Sequence, residues 1–240
     1  MSTAVKHPYK GYFITFEGGE GVGKSTQIKR LVDRLKSIGA PVTTSREPGG
    51  TPGAEAVRHV VLDKAAAQPF GPHLEAILFA AARLDHVEQV ILPALTKGHI
   101  VIIDRFMDST RVYQGESNDL AQDFVTSLER VAVKNIVPDL TIILDLNPAI
   151  GLSRAASRRA PNIEIDRFEG EHIAEHAARR KAFLKIAQDE PERCKVVDAS
   201  GSEDVVAEAI WAIVKVAIQQ RFGMQPALVS AKSKIPSARL

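Results

Sequence analysis

Two hydrophobic patterns take turns along the chain. Short apolar or β-branched runs occur at Tyr12–Phe16, Pro41–Thr44, Ile100–Ile103, Leu140–Leu146 and Lys195–Val197. Runs of this length suit the strands of a parallel sheet, which are covered on both faces. Between them, apolar residues recur three or four positions apart, the mark of one helical face. Ile28, Leu31, Val32, Leu35 and Ile38 set such a face from Ser25 onward, and Gly39 ends it. A short helix is predicted over Ala54–Leu62. A longer one is predicted over His73–Thr96, with Leu74, Ile77, Leu78, Ala81 and Leu84 turned inward and Gly98 as its cap. Leu120, Phe124, Leu128 and Val131 mark another. Asn147-Pro148 reads as an N-cap followed by proline at the first helical position. It opens a helix over 148–158, and two more follow over 169–189 and Glu203–Gln220.

Strands alternating with helices predict an α/β fold, a doubly wound parallel five-stranded sheet with helices on both faces. No internal repeat interrupts the order. The 240 residues suffice for one such domain, read here as 1–222, and would crowd two. Residues 223–240 hold Pro, Ser, Ala and Lys without apolar period and are expected to form a flexible tail.

Charge and composition narrow the function. Lys and Arg number 31 against 29 Asp and Glu, a net charge of +2, so a protein that coats nucleic acid is not expected. Any anionic ligand must be met by cations placed locally. Cys194 is the only cysteine, so no intrachain disulfide can form and a reducing, cytoplasmic setting is expected. No apolar run approaches the roughly 18 residues of a membrane span, and Met1–Lys10 lacks a signal-peptide stretch. The histidines are scattered, with no spacing that suggests a tightly held metal. His73 and His86, on the long helix, read as surface or interface residues.

Between the first strand and the first helix stands Gly18-Gly19-Glu20-Gly21-Val22-Gly23-Lys24-Ser25, a full match to G-x-x-x-x-G-K-[ST]. The glycines let backbone N–H groups converge on phosphate oxygens where a Cβ would clash. The helix after the loop, with Thr26 in its first turn, points its positive end the same way. Lys24 would then supply a mobile charge to the β- and γ-phosphates of a bound nucleotide, and Ser25 a ligand for Mg²⁺. The strand Ile100–Ile103 ends at Asp104, which puts a carboxylate at the sheet edge where open α/β folds bind ligands, a second oxygen donor for Mg²⁺.

Four further segments carry a resemblance. They are Phe16-Glu17-Gly18, Arg46-Glu47-Pro48-Gly49-Gly50-Thr51, Leu78-Phe79-Ala80-Ala81-Ala82-Arg83, and Asp104-Arg105-Phe106 with Ser109-Thr110 and Tyr113-Gln114-Gly115. In this order and spacing, together with the phosphate loop, the chain resembles the thymidylate kinases of bacteria. The resemblance implies ATP-dependent phosphorylation of dTMP, with Mg²⁺, by a homodimer. Phe79 and Arg83, four apart on one helix face, would clamp a pyrimidine by stacking and by donation to a base carbonyl. The resemblance gives Arg105 the acceptor phosphate, Glu17 the 3′-hydroxyl and Thr110 the base edge. Tyr113 would crowd the 2′ position, with Gln114 beside it, and Arg46 would help position the acceptor. The Glu47-Pro48 bond is implied to be cis. Phe106 and Arg111-Val112 depart from the residues usual in the family.

Phosphoryl transfer needs in-line positioning and cations around the moving group. Positions 19 to 22 carry no arginine, so the resemblance looks for that charge in a lid over about 150–168, from Arg154, Arg158, Arg159 or Arg167. Two other readings remain open here. One is a kinase for another pyrimidine monophosphate. The other is a non-catalytic phosphate-loop regulator, although the Asn-Lys-x-Asp guanine motif of GTP switches is missing.

Overall fold

The computed structural model describes residues 7–63, 71–116, 120–158, 168 and 171–223. Five strands form one sheet: β1 (Tyr12–Glu17), β2 (Val42–Arg46), β3 (Ile100–Asp104), β4 (Leu140–Asp145) and β5 (Cys194–Asp198). They are parallel and ordered β2-β3-β1-β4-β5. The pairing of β1 with both β3 and β4 makes the end of β1 the point where the winding reverses, and such sheets gather ligands there. Register sets Phe16 opposite Asp104 and Arg46 opposite Asp104, so the first three strands deliver their last residues to one edge.

The helices are α1 (Lys24–Ser37), α2 (Pro52–Leu62), α3 (Pro72–His86), α4 (Leu92–Thr96), α5 (Met107–Thr110), α6 (Gln122–Val133), α7 (Pro148–Arg158), α8 (Ile173–Asp189) and α9 (Glu203–Phe222). Alternation along β1 divides the core. Ile14 and Phe16 pack with Leu31 and Leu35 of α1 and Ile210 and Val214 of α9. Phe13, on the opposite face, packs with Val87, Ile91, Leu95 and Phe106. No described helix is long and apolar enough to cross a membrane.

Three expectations change. The helix predicted over His73–Thr96 runs unbroken from Pro72 to Thr96 but is not regular, since α3 widens into a π-type turn at Val87–Ile91 before α4. Pro93 is the reason: it has no N–H for the preceding turn's carbonyl, and its ring crowds that turn. Next, Leu74 and Ile77 are 44% and 45% exposed, while Glu75, Ala76, Ala80, Ala82, Arg83 and His86 form the buried face of α3. Val131 of α6 is likewise exposed. Periodicity reports an apolar stripe but not what covers it, and here the face toward the sheet edge carries polar chemistry. Finally, His86 is fully buried and bonded rather than superficial. The expected tail beyond 223 lies outside the described residues.

Candidate active site

The loop 18–23 curls between β1 and α1 as its glycines require. Gly18, Gly21 and Gly23 have φ of 131°, 66° and 97°, a region L side chains avoid. The loop also lies against other backbone, and a Cβ on Gly21 would sit 1.8 Å from the Gly151 carbonyl oxygen of α7. Lys24, buried at the start of α1, donates to the carbonyls of Gly18 at 3.1 Å and Gly19 at 2.8 Å. Burial and the nearby Arg105 lower its pKa, against the pull of Glu20, Asp104 and Glu17. Ser25 Oγ donates to Asp104 Oδ2 at 3.3 Å. Asp104 Oδ1 is buried with no hydrogen-bond partner among the described residues. Thr26 is half-buried in the first turn of α1.

Beyond β3 the chain turns through Arg105, whose φ of 65° is rare for a side-chain-bearing residue. Its N–H donates to Phe16 O at 2.9 Å, which ties the turn to β1. Its guanidinium donates to Gly18 O at 3.1 Å, Ser109 Oγ at 3.3 Å and Glu20 Oε1 at 2.5 Å. The Tyr113 hydroxyl donates to the same Glu20 oxygen at 3.1 Å. Burial would raise the Glu20 pKa, but the charges of Arg105 and Lys24 outweigh it and bring it down to about 2. Glu17 behaves in the opposite way. Burial and the adjacent Asp108 push it up to about 7, although its oxygens accept from Phe106 N–H at 2.8 Å and Ser109 Oγ at 2.7 Å.

A cleft opens beside this pair of turns. From the residues singled out in the sequence it is lined by Glu20, Phe79, Arg83, Arg105, Thr110, Tyr113 and Gln114. Arg83 is held firmly: Nε donates to Glu47 Oε2 at 2.6 Å, Nη1 to Thr110 Oγ1 at 2.7 Å and Nη2 to Phe106 O at 3.0 Å. Gln114 donates to Glu75 Oε1 at 3.0 Å. Two expected residues stand apart from the lining. Glu17 faces the Arg105–Ser109 turn from within. Arg46 is over half exposed and donates to both oxygens of Glu55, at 3.0 and 3.1 Å.

The cleft also takes Glu47, Pro48, Arg58, Leu62, Ser109 and Phe168. Glu47, Pro48 and Ser109 belong to segments the sequence had marked, and the Glu47-Pro48 bond is cis. Arg58 had no local signal, because only the packing of α2 brings it over Pro48, whose carbonyl it meets at 2.8 Å. Behind the cleft, Arg193 grips Asp108 with two bonds of 2.7 and 2.9 Å, and Arg111 bridges Glu129 and Glu190. Of the lid arginines, Arg154 donates to Ala199 O at 3.1 Å. The Arg158 side chain, Arg159 and Arg167 lie outside the described residues.

A phosphate loop and a cleft with an aromatic side chain and a fixed guanidinium thus share one arginine, Arg105. The family model for thymidylate kinase matches residues 16–210. This chain belongs to the thymidylate kinase family. A thymidylate kinase of Bradyrhizobium diazoefficiens is 52% identical over 206 residues, covering 86% of this chain and 90% of that one. One from Bradyrhizobium sp. ORS 278 is 50% identical over 208 residues, covering 87% and 91%. The crystal structure of the Ehrlichia chaffeensis thymidylate kinase superposes with a TM-score of 0.69 at 29% identity, covering 85% of this chain and 98% of that one. The thymidylate kinase match takes in every residue from the phosphate loop to α8.

Proposed function

We propose that this protein transfers the γ-phosphoryl group of ATP to dTMP, giving dTDP and ADP, in the cytoplasm, with residues 1–222 as one kinase domain and about 150–168 as its lid. The observation that carries this is the position of Arg105. Its guanidinium touches the Gly18 carbonyl of the phosphate loop and also lines the cleft, so a phosphate on the acceptor would lie beside the phosphates of ATP.

Each side chain then has a task. Phe79 stacks on the base. Arg83 has three of its N–H groups engaged within the protein, which leaves two of the usual five for a base carbonyl. Thr110 accepts from Arg83, so its own hydroxyl proton is free to turn to the base edge. Arg105 exchanges Glu20 for the acceptor phosphate, a task suited to its planar fork. Glu20 lines the cleft, and we assign it the sugar-hydroxyl contact that the resemblance gave to Glu17. Glu17 acts through the backbone of Phe106 and through Ser109. Arg46 acts through Glu55, which also accepts from Gly50 N–H at 2.9 Å. Tyr113 and Gln114 close the sugar side.

The oxygen set fits Mg²⁺. The unpartnered Asp104 Oδ1 and the Ser25 hydroxyl supply two oxygens at the phosphate loop, and this ion takes few protein ligands alongside phosphates and waters. Bound there, Mg²⁺ would offset charge on the β- and γ-phosphate oxygens.

The test is ADP production with ATP and Mg²⁺ against dTMP, dUMP, UMP, dCMP, CMP and dGMP. Strong preference for dTMP, abolished by EDTA, is expected. Preference for another monophosphate would overturn the base assignments, and no turnover with ATP still bound would leave a regulator.

We also propose a homodimer. Leu74 and Ile77 of α3 and Val131 of α6, on helices packed side by side, expose apolar surface that a second copy would cover. Sedimentation at micromolar concentration should show a dimer that Ile77→Glu shifts toward monomer. A wild-type monomer would sink this proposal.

A further inference from the structure

Arg83 can read a base only if its plane is fixed, and of the three groups that fix it, Thr110, the Phe106 carbonyl and Glu47, the last is a carboxylate itself held from behind. Glu47 is 6% exposed, and its Oε2 takes the Arg83 Nε proton at 2.6 Å. Its Oε1 lies 2.9 Å from Nδ1 of His86, a ring with no exposed surface. A carboxylate only accepts, so His86 Nδ1 carries the proton and donates to Glu47. In the neutral ring Nε2 is then an acceptor, and Ser45 Oγ at 2.8 Å donates to it. Gly50 covers the Ser45–His86 contact so closely that a Cβ there would meet Ser45 Oγ at 2.2 Å and His86 Nε2 at 2.7 Å. Ser45, His86, Glu47 and Arg83 therefore form one chain of hydrogen bonds. It starts on β2 and ends at the guanidinium that lines the cleft.

We propose that His86 is a positioning residue for base selection, acting through Glu47 on the plane of Arg83 although it lines no part of the cleft itself. This deepens the reading of Arg83 as the donor to the base carbonyl and rests on it. With its Nε pinned as well as Nη1 and Nη2, Arg83 does not rotate to present a different edge, and loss of the Nε anchor loosens it. Thymine offers a carbonyl oxygen where cytosine offers an amino group, and two facing donors repel. A fixed guanidinium accepts the first and rejects the second, whereas a swivelling one discriminates less. Loss of the His86–Glu47 bond should thus cost dTMP more than dCMP.

The experiment compares two substitutions of similar polarity. Asparagine can place its amide N–H near the Nδ1 position of histidine, and glutamine near the Nε2 position. His86→Asn keeps the donor to Glu47, while His86→Gln loses it. The readout is the ratio of kcat/KM for dTMP to that for dCMP on one preparation, from which the fraction of active enzyme cancels. His86→Gln should lower this ratio about tenfold, and His86→Asn should keep it within about twofold of wild type. Equal ratios in the two variants, whatever their melting temperatures, would overturn the proposal and leave His86 a packing residue. Arg83→Lys separates the underlying reading. If it lowers the ratio and His86→Gln does not, Arg83 reads the base without help from His86. If it leaves the ratio unchanged, Arg83 does not read the base and the inference falls with it.

Discussion

Lys24→Met is expected to lower kcat by about a thousandfold and to leave the KM for dTMP within a few-fold of wild type. The Lys24 ammonium lies on the Gly18 and Gly19 carbonyls, at the loop and away from the cleft lining, so the acceptor should bind without it. What goes missing is charge beside oxygens that become more negative as the phosphoryl group moves. Removing Lys24 should leave the fold largely intact, because the Gly18 carbonyl keeps its bond from Arg105 at 3.1 Å. Steady-state kinetics against both substrates decides the matter, and a kcat within tenfold of wild type would rule the role out. Alanine at Arg154, Arg158, Arg159 and Arg167 in turn extends the same experiment to the lid. One of the four should match Lys24 in size, and small effects at all four would remove the lid from the transition state.

The second large effect is at Gly21. Its φ of 66° costs a side-chain-bearing residue about 1–2 kcal/mol by itself. The contact matters more, since a Cβ there would lie 1.8 Å from Gly151 O, and a Cβ on Gly151 would lie 2.4 Å from Glu20 O. Two backbones pass too closely for either to carry a side chain. Neither can retreat freely, because Gly18 on the same loop is packed against Leu144 O, 2.5 Å from the position of its missing Cβ. Gly21→Ala should therefore push the loop from α7 and cost on the order of a hundredfold in kcat/KM. Gly39→Ala is the control. Its φ is 79° with open space around it, so it should carry the dihedral cost and little else. Isothermal titration with ATP and chemical denaturation separate the two, and near-normal ATP affinity in Gly21→Ala would show that the loop tolerates the displacement.

Much of the site was legible because its parts are local. A phosphate loop consists of neighbours whose glycines and lysine act within one turn of chain, so residues 18–25 announce it alone. Asp104 and Arg105 were equally readable at the end of an apolar run. The i, i+4 spacing of Phe79 and Arg83 put both on one side of α3, and both line the cleft. Harder to read was the sense of that side. The apolar stripe of α3 looked inward by period, yet Leu74 and Ile77 are exposed while Glu75, Arg83 and His86 are buried. A buried polar face is permitted only where partners satisfy it, and those partners come from distant segments: Glu47, Thr110 and Gln114.

The exchange between the two acids shows the same limit. Glu17 and Glu20 sit three residues apart, and nothing local tells which one lines the cleft. The turn after β3 decides it. Phe106 N–H and Ser109 cap Glu17 from within, while Arg105 and Tyr113 draw Glu20 to the cleft wall. By itself, then, the sequence determined the order of strands and helices, the phosphate loop with its lysine, and most of the side chains that line the cleft. These depend on backbone preference, hydrophobic period and short-range spacing. Only the tertiary structure decided which carboxylate lines the cleft, that Arg58 joins it, and that His86 stands behind Arg83. Each of these depends on groups far apart in the chain being desolvated together, and a buried polar group takes its role from whichever partner the fold brings within hydrogen-bonding reach.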